Sequence, residues 1–142
     1  MDGPHGIFTA AQAAQSKVLL IAGGIGITPI RALAEELACA GKEIVLLYAN
    51  RDAPSIVFRE ELRELQRQYP NLHVTYVLDR TEKDDEGECG HIDEEKLRRL
   101  VPDVAERDVF LCGPPPMIVS LRHVLRTMGV PKSRLHDELF SL

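Results

Sequence analysis

Four short stretches of this 142-residue chain carry residue types that could bind or orient a ligand. Each follows a run of aliphatic residues, and they occupy positions 23–28, 50–52, 79–80 and 112–117. Glycines in the first stretch let a ligand approach the backbone, and a helix beginning there would turn its positive end toward an anion. No serine–histidine–acid or paired-carboxylate arrangement can be placed. The chemistry indicated is therefore binding of a phosphorylated ligand.

The first stretch joins a predicted buried strand to a predicted helix. An uncharged aliphatic run at 18–22 leads into glycines 23, 24 and 26, and we expect Thr28 as the N-cap with Pro29 in the first turn. The turn lacks the third glycine of the dinucleotide fingerprint, and it also lacks the lysine and hydroxyl residue of a P-loop. A phosphate-binding turn and a strand-to-helix turn that binds nothing therefore both stay open.

Arg51 follows the second aliphatic run, where doubly wound folds contact the adenosine ribose of a dinucleotide. An arginine there accommodates a 2′-phosphate, whereas an acidic residue binds the ribose hydroxyl. Arg51 thus favours NADP(H) over NAD(H), while the adjacent Asp52, as ribose ligand, would favour NAD(H). A third interpretation is a surface ion pair of Arg51 with Asp52 or Glu60.

Cys112 ends another aliphatic run and is followed by Gly113 and three prolines. A cysteine in that position is most often a small buried apolar residue. Its place at the expected ligand edge, beside a rigid glycine–proline wall, supports a contact with the ligand instead. The five histidines are scattered without metal-ligand spacing, so we expect surface or packing roles for them and no metal site.

The order of the elements predicts the fold class. Aliphatic strands near 18–22, 43–49, 73–78 and 108–112 alternate with amphipathic helices that begin near 28, 56, 94 and 118, and a short strand is expected near 135–140. This pattern predicts an α/β fold: an open, doubly wound parallel sheet of about five strands, with helices on both faces. Residues 79–91 contain six carboxylates against two cations, which indicates an exposed loop, either a solvated linker or a docking surface or lid.

Composition limits the class of protein. The formal net charge is -5, and no basic patch indicates a nucleic-acid partner. Three cysteines far apart suggest neither a zinc site nor a disulfide framework. The first residues show no basic region followed by an apolar core, and the longest apolar run, at 18–30, is shorter than a membrane span and is interrupted by glycines and a proline. We expect a cytoplasmic domain that does not itself contact a membrane.

Four motifs taken together resemble the nucleotide-binding C-terminal domain of the ferredoxin-NADP reductase family. They are GGIGITP at 23–29, YANR at 48–51, CGPPPM at 112–117 and ELF at 138–140. Each is weak alone, but in this order they are specific and cover nearly the whole chain. The sequence is most similar to the bacterial ferric-reductase-like and oxygenase-reductase members, which also resemble the NADPH oxidase dehydrogenase domain.

The resemblance implies a Rossmann-like domain of an NAD(P)H-dependent flavin oxidoreductase. Such a domain binds NAD(P)H and presents it for hydride transfer to FAD held by a barrel domain. Electrons then pass to an iron, haem or iron–sulfur acceptor, so the implied partners are the FAD domain and a redox protein or haem domain. If the parent chain has a haem-bearing membrane domain, the resemblance places this domain at the cytoplasmic face of the membrane. The chain alone is expected to be inactive.

The resemblance also assigns site residues. Gly24, Gly26 and Thr28 would hold the pyrophosphate, while Asn50 and Arg51 would lie at the adenosine 2′ position. The full set of implied cofactor-binding residues is Gly23, Gly24, Gly26, Ile27, Thr28, Pro29, Asn50, Arg51, Cys112, Gly113, Pro114, Met117 and Phe140.

Three residues are implied to act in catalysis. Cys112 would orient and polarise the nicotinamide ring without acting as a covalent nucleophile. Glu138 would join the active-site hydrogen bonds, and Phe140 would cover the flavin ring. The chain has Phe140 where plant-type members end in tyrosine, and it continues to Leu142.

The first residues predict a domain boundary. The segment GPHGIF at 3–8 is similar to the family segment that closes the barrel beside the flavin, whereas the flavin-binding R-x-Y-S/T signature is missing. Residues 1–16 are thus expected to be the end of an upstream FAD-binding domain, with the NAD(P)-binding domain at 17–142. The alternative is a non-catalytic nucleotide-sensing or interaction domain of the same fold.

Overall fold

The computed structural model describes residues 13–79 and 88–139, with side chains as far as Asp137. These residues form six strands: β1 (Lys17–Gly23), β2 (Glu43–Asn50), β3 (Leu72–Leu78), β4 (Glu88–Cys89), β5 (Asp108–Gly113) and β6 (Leu135–Leu139). Their four α-helices are α1 (Ile27–Cys39), α2 (Arg59–Gln68), α3 (Glu94–Leu100) and α4 (Pro115–Thr127). Within the described ranges, no helix has the length and apolar character needed to cross a membrane. The GPHGIF segment, most of the acidic loop and Phe140 lie outside them.

The strands pair in parallel in the order β4-β3-β2-β1-β5-β6. The chain runs from β1 through β2 and β3 to one edge, and then returns through α3 to place β5 on the other side of β1. The direction of strand addition therefore reverses between β1 and β5. In doubly wound sheets this switch point, at the carboxyl ends of the strands, is where ligands bind.

Both faces of the sheet are apolar, because successive strand residues point to opposite sides and most residues of the central strands are apolar. Each face is therefore covered by helices. In β1, Leu20 contributes to one apolar cluster and Leu19 to the other; in β5, Phe110 and Leu111 divide in the same way. Helices α1 and α2 cover the first face, while α3 and α4 cover the second. The predicted doubly wound α/β architecture is confirmed.

The number of strands differs slightly from the expected five. The additional strand is the two-residue β4, which pairs in parallel with Val77 and Leu78 at the sheet edge. Its residues belong to the stretch expected to be an exposed loop. A strand this short has no apolar periodicity, so only its pairing with β3 reveals it.

Three helices begin at other residues than expected. Helix α4 begins at Pro115 and not near 118, because proline is favoured in a first helical turn, where the N–H that it lacks would have no partner within the helix.

The starts of α1 and α2 also differ. Gly26, not Thr28, is the N-cap of α1, because residues 24–26 already form a 3₁₀ turn that continues into the helix. Helix α2 begins at Arg59 and not near Ile56, because Phe58 has a left-handed backbone with φ of 65°. A residue in that conformation cannot continue a right-handed helix.

A buried arginine ties the strands together at the opposite, amino edge of the sheet. Arg107 is 4% exposed. Its guanidinium donates to the Val18 carbonyl at 3.0 Å, to a Glu43 carboxylate oxygen at 2.9 Å and to an Asp103 carboxylate oxygen at 2.8 Å. Arg107 holds the pKa of Asp103 below its usual value, and Asp103 in turn raises the pKa of Lys17. This network fixes β1 and β2 relative to the segment before β5.

Candidate functional site

Helices α1 and α4 begin at the switch point, directly after β1 and β5. Their first turns contain no acidic residue, and neither N-cap makes a side-chain hydrogen bond. Helices α2 and α3 differ, since each has two glutamates in its first turn. The positive dipole ends of α1 and α4 are thus left uncompensated where the two helices flank the switch point, which favours an anionic ligand there.

The two helix ends offer different groups to a ligand. Pro115 and Pro116 occupy the first two positions of α4, so these positions have no N–H group to donate. Thr28, in the first turn of α1, is exposed, while Pro29 is half-buried. The α1 end is therefore the more polar side of the switch point, and the α4 end is a rigid apolar wall.

The predicted glycines at 24 and 26 have different surroundings. Gly24 has φ of 53° and is exposed, and a Cβ atom added there would meet no atom within 4 Å. Gly26 is buried, and a Cβ atom there would overlap the Cys112 carbonyl group and approach the Gly113 nitrogen to 3.0 Å. Gly24 therefore leaves open space for a ligand, whereas Gly26 allows the turn to pack on β5.

Gly23 and Gly113 lie side by side at the ends of β1 and β5, beneath Met117. A Cβ atom added to Gly23 would lie 2.5 Å from the Met117 sulfur, and one added to Gly113 would lie 2.6 Å from the Met117 Cε. The Gly113 Cβ position is only 3.3 Å from the Gly23 Cα. The two glycines thus form a bare floor covered by one flexible thioether.

A cleft runs along the carboxyl edge beside this floor. It consists of cavities of about 380 and 240 Å³ that share several lining residues. The shared residues are Ala49, Asp79, His91, Pro114 and Met117. The larger cavity extends toward α4 at Leu121, and the smaller one reaches Gly23 and Arg51.

The predicted pair Asn50 and Arg51 is split into a structural and an exposed residue. The Asn50 side-chain amide donates to the Ser55 carbonyl at 2.8 Å, and its oxygen accepts from the Arg51 backbone N–H at 2.9 Å. Asn50 therefore shapes the loop, although it also lines the smaller cavity. Arg51 is exposed and lines the same cavity.

Asp52, the alternative ribose ligand, is occupied locally. Its carboxylate accepts from the Ser55 backbone N–H at 3.2 Å and from the Ser55 hydroxyl at 2.6 Å. It thereby caps the 3₁₀ turn at 53–55. The other carboxylate predicted to pair with Arg51, that of Glu60, lies 2.9 Å from the Arg63 guanidinium instead.

Sequence reasoning missed His91 as a lining residue. Its Nδ1 lies 3.3 Å from an Asp79 carboxylate oxygen, and both side chains line both cavities. The signal available was the position of Asp79 after a predicted strand. Nothing local could bring His91 beside it, because the chain returns to β3 only through the pairing of β4.

Of the three predicted catalytic residues, the structure describes the side chain of Cys112 alone. Cys112 is fully buried and its side chain belongs to the apolar cluster beneath α1, so no thiol surface faces the cleft. Ile27 is also buried in this cluster. The backbone of Glu138 pairs with Cys112 in the sheet, but its side chain and Phe140 lie outside the described residues. The catalytic roles of all three stay predictions.

The fold and this switch point define the class of protein, a dinucleotide-binding α/β domain. A family model described as the oxidoreductase NAD-binding domain matches residues 20–123. The chain belongs to this family, and its resemblance to the nucleotide-binding domain of ferredoxin-NADP reductases is confirmed.

Individual relatives are similar over nearly the whole chain. The glycine betaine monooxygenase reductase subunit of Pseudomonas aeruginosa is 30% identical, over 99% of this chain and 39% of its own. The ferredoxin reductase component of the 3-ketosteroid-9-alpha-monooxygenase of Rhodococcus rhodochrous is 35% identical, over 97% of this chain and 38% of its own. The chain thus spans less than half the length of these relatives.

A solved structure gives the same result for the fold. The cytochrome b5 reductase domain of Ulva prolifera nitrate reductase is 30% identical, with a TM-score of 0.79. The match covers 87% of this chain and 50% of that one.

Proposed function

We propose that the chain binds NAD(P)H across this cleft and presents the nicotinamide to FAD held by a neighbouring domain of a longer reductase. The observation that carries the proposal is the meeting of two helix N-termini without first-turn acids at a glycine-floored switch point. Such a junction attracts a pyrophosphate and lets it approach the backbone. Helices α2 and α3 have glutamates in their first turns, so the lack of acidic residues is confined to the two helices at the switch point. This difference supports the proposal.

The residues of the cleft fit the parts of a dinucleotide. The open backbone at Gly24 and the exposed Thr28 suit the pyrophosphate, whereas the α4 wall at Pro114 suits an apolar ring. When bound, the reduced nicotinamide supplies a hydride and the flavin accepts it, which is chemistry of the cofactors. The chain's contribution is to hold the ring in place and exclude water from the apolar side of the cleft.

We further propose that Arg51 gives a preference for NADP(H). Its guanidinium is exposed beside the smaller cavity, and Asp52 is engaged with Ser55. The opposing charge is Asp79, whose carboxylate lines the same cavity and would repel a 2′-phosphate. Its partner His91 offsets this repulsion when protonated.

Calorimetric titration of three proteins with NADPH and NADH tests this assignment. Arg51→Ala should weaken NADPH binding much more than NADH binding, because only NADPH carries the 2′-phosphate. Asp79→Asn, as the matched change of opposite sign at the same cavity, should strengthen NADPH binding selectively. Equal losses for both dinucleotides in Arg51→Ala would show that Arg51 does not contact the 2′-phosphate.

We also propose that residues 1–16 are the end of an FAD-binding domain and that the acceptor is a redox protein or a haem domain. Expression of the chain together with the coding sequence immediately upstream tests this. The longer protein should hold flavin, and NADPH should bleach the flavin absorbance. Nucleotide binding without flavin reduction would instead favour the non-catalytic sensing domain.

A further inference from the structure

We propose that Met117 is a plug that occupies the nicotinamide end of the cleft and is displaced when the ring binds. The inference rests on the proposed function. The end of the Met117 side chain lies directly on Gly23 and Gly113, at the position where an ordinary side chain on either glycine would be. Both glycines lack that side chain, so the thioether fills the space above the floor.

The obstruction above this floor is movable, unlike that at Gly26. A Cβ atom at Gly26 would meet the backbone of Cys112, which is held in the sheet. At Gly23 and Gly113 the nearest atoms belong to the far end of a methionine, which has three rotatable side-chain bonds. The less mobile atoms lie further out, with Pro114 Cδ at 3.2 Å from the Gly23 Cβ position and the Gly23 backbone at 3.3 Å from that of Gly113. Rotation of the Met117 side chain away from the glycines would therefore open a flat slot between the two strand ends.

The backbone carrying Met117 is rigid, so the motion is confined to the side chain. Pro115 and Pro116 fix φ in the first turn of α4, and the Ile118 N–H donates to the Pro114 carbonyl at 3.1 Å. Met117 also lines both cavities. Its side chain is therefore at the junction that a dinucleotide spanning the cleft must pass.

The bare glycine floor determines which part of a dinucleotide the slot can accept. A planar aromatic amide can lie on two adjacent glycines, because no Cβ atom projects from them. The smaller cavity runs from Gly23 at the floor to Arg51, and its Arg51 end offers the polar surface for the adenosine. The displaced thioether should therefore report on the nicotinamide alone.

Methyl NMR of the 142-residue chain provides the first test, because the sequence contains only three methionines. The probes are two pairs that differ only in the nicotinamide: NADPH with 2′-phospho-ADP-ribose, and NADH with ADP-ribose. The Met117 methyl signal, assigned by its loss in Met117→Leu, should shift with the dinucleotide and stay with its truncated partner. Met128, at the far end of α4, serves as the internal control.

Affinities of the same probes provide the second test. Met117→Ala removes the plug before the ligand binds, so the nicotinamide no longer has to break the apolar contact of the thioether with the floor. The ratio of the affinity for the dinucleotide to that for its truncated partner should therefore rise about fivefold. Met117→Leu retains the plug volume and should leave this ratio unchanged. Val119→Ala, an exposed site two residues further along α4, is the matched control.

The outcomes separate the two proposals. If both members of a pair bind, but the Met117 methyl responds equally to both or the ratio is unchanged in Met117→Ala, the plug is wrong and the proposed function stands. If none of the four nucleotides binds, the proposed function is wrong and the plug with it.

Discussion

Alanine substitution of the glycines in the first turn should separate ligand contact from packing. Gly24 and Gly26 are two residues apart in one motif, and the family resemblance implies that both hold the pyrophosphate. In the structure a side chain at Gly24 would point into open space, whereas one at Gly26 would strike the backbone of β5. The two substitutions should therefore fail in different ways.

The expected magnitudes follow from the surroundings of each glycine. Gly24→Ala places alanine at φ of 53°, a left-handed conformation that costs about 1 kcal/mol, with no steric overlap. Gly26→Ala has a favourable φ of -62°, but its Cβ atom would lie 2.5 Å from the Cys112 carbonyl carbon. Overpacking of this kind costs about 1–3 kcal/mol or more, and here no flexible side chain can give way. We expect about 3 kcal/mol.

Urea denaturation and NADPH titration should be measured on the same proteins. Gly41→Ala is the matched control, because Gly41 also has a left-handed backbone and open surroundings but lies after α1, away from the cleft. Gly24→Ala and Gly41→Ala should lose similar stability, and only Gly24→Ala should lose affinity. The reasoning is refuted if Gly26→Ala is as stable as Gly24→Ala, because the turn would then not be packed on β5.

Three further outcomes are expected. Arg107→Met should lower the free energy of unfolding by about 2 kcal/mol in urea denaturation, because the Val18 carbonyl and the Asp103 carboxylate lose their hydrogen-bond donor; a loss no larger than that of an ordinary surface substitution would contradict the network. Since the pKa of Asp103 is lowered in the folded state, its carboxylate stabilises the fold above about pH 4, and this contribution disappears as the pH falls. The stability difference between wild type and Asp103→Asn should therefore shrink in acid, and a constant difference would exclude the ion pair as its cause. Gly23→Ala should cost about 1 kcal/mol less in a Met117→Ala background than in the wild type, which a double-mutant cycle measures, and strict additivity would place the clash elsewhere.

The sequence alone determined the architecture of this domain. Hydrophobic periodicity over neighbouring residues indicates buried strands and amphipathic helices, and their alternation predicts a doubly wound parallel sheet. From these features the carboxyl edge and its glycine turn could be predicted as the binding region.

Only the tertiary structure decided what each residue at that edge does. Gly24 faces open space and Gly26 packs on β5 because of how closely β5 approaches the turn. Met117 lies over Gly23 because β1 pairs with β5, the strand that precedes α4. His91 joins the cleft through the pairing of β4 with β3. Such contacts join residues distant in the chain, and a pattern that reports only on neighbours in sequence contains no information about them.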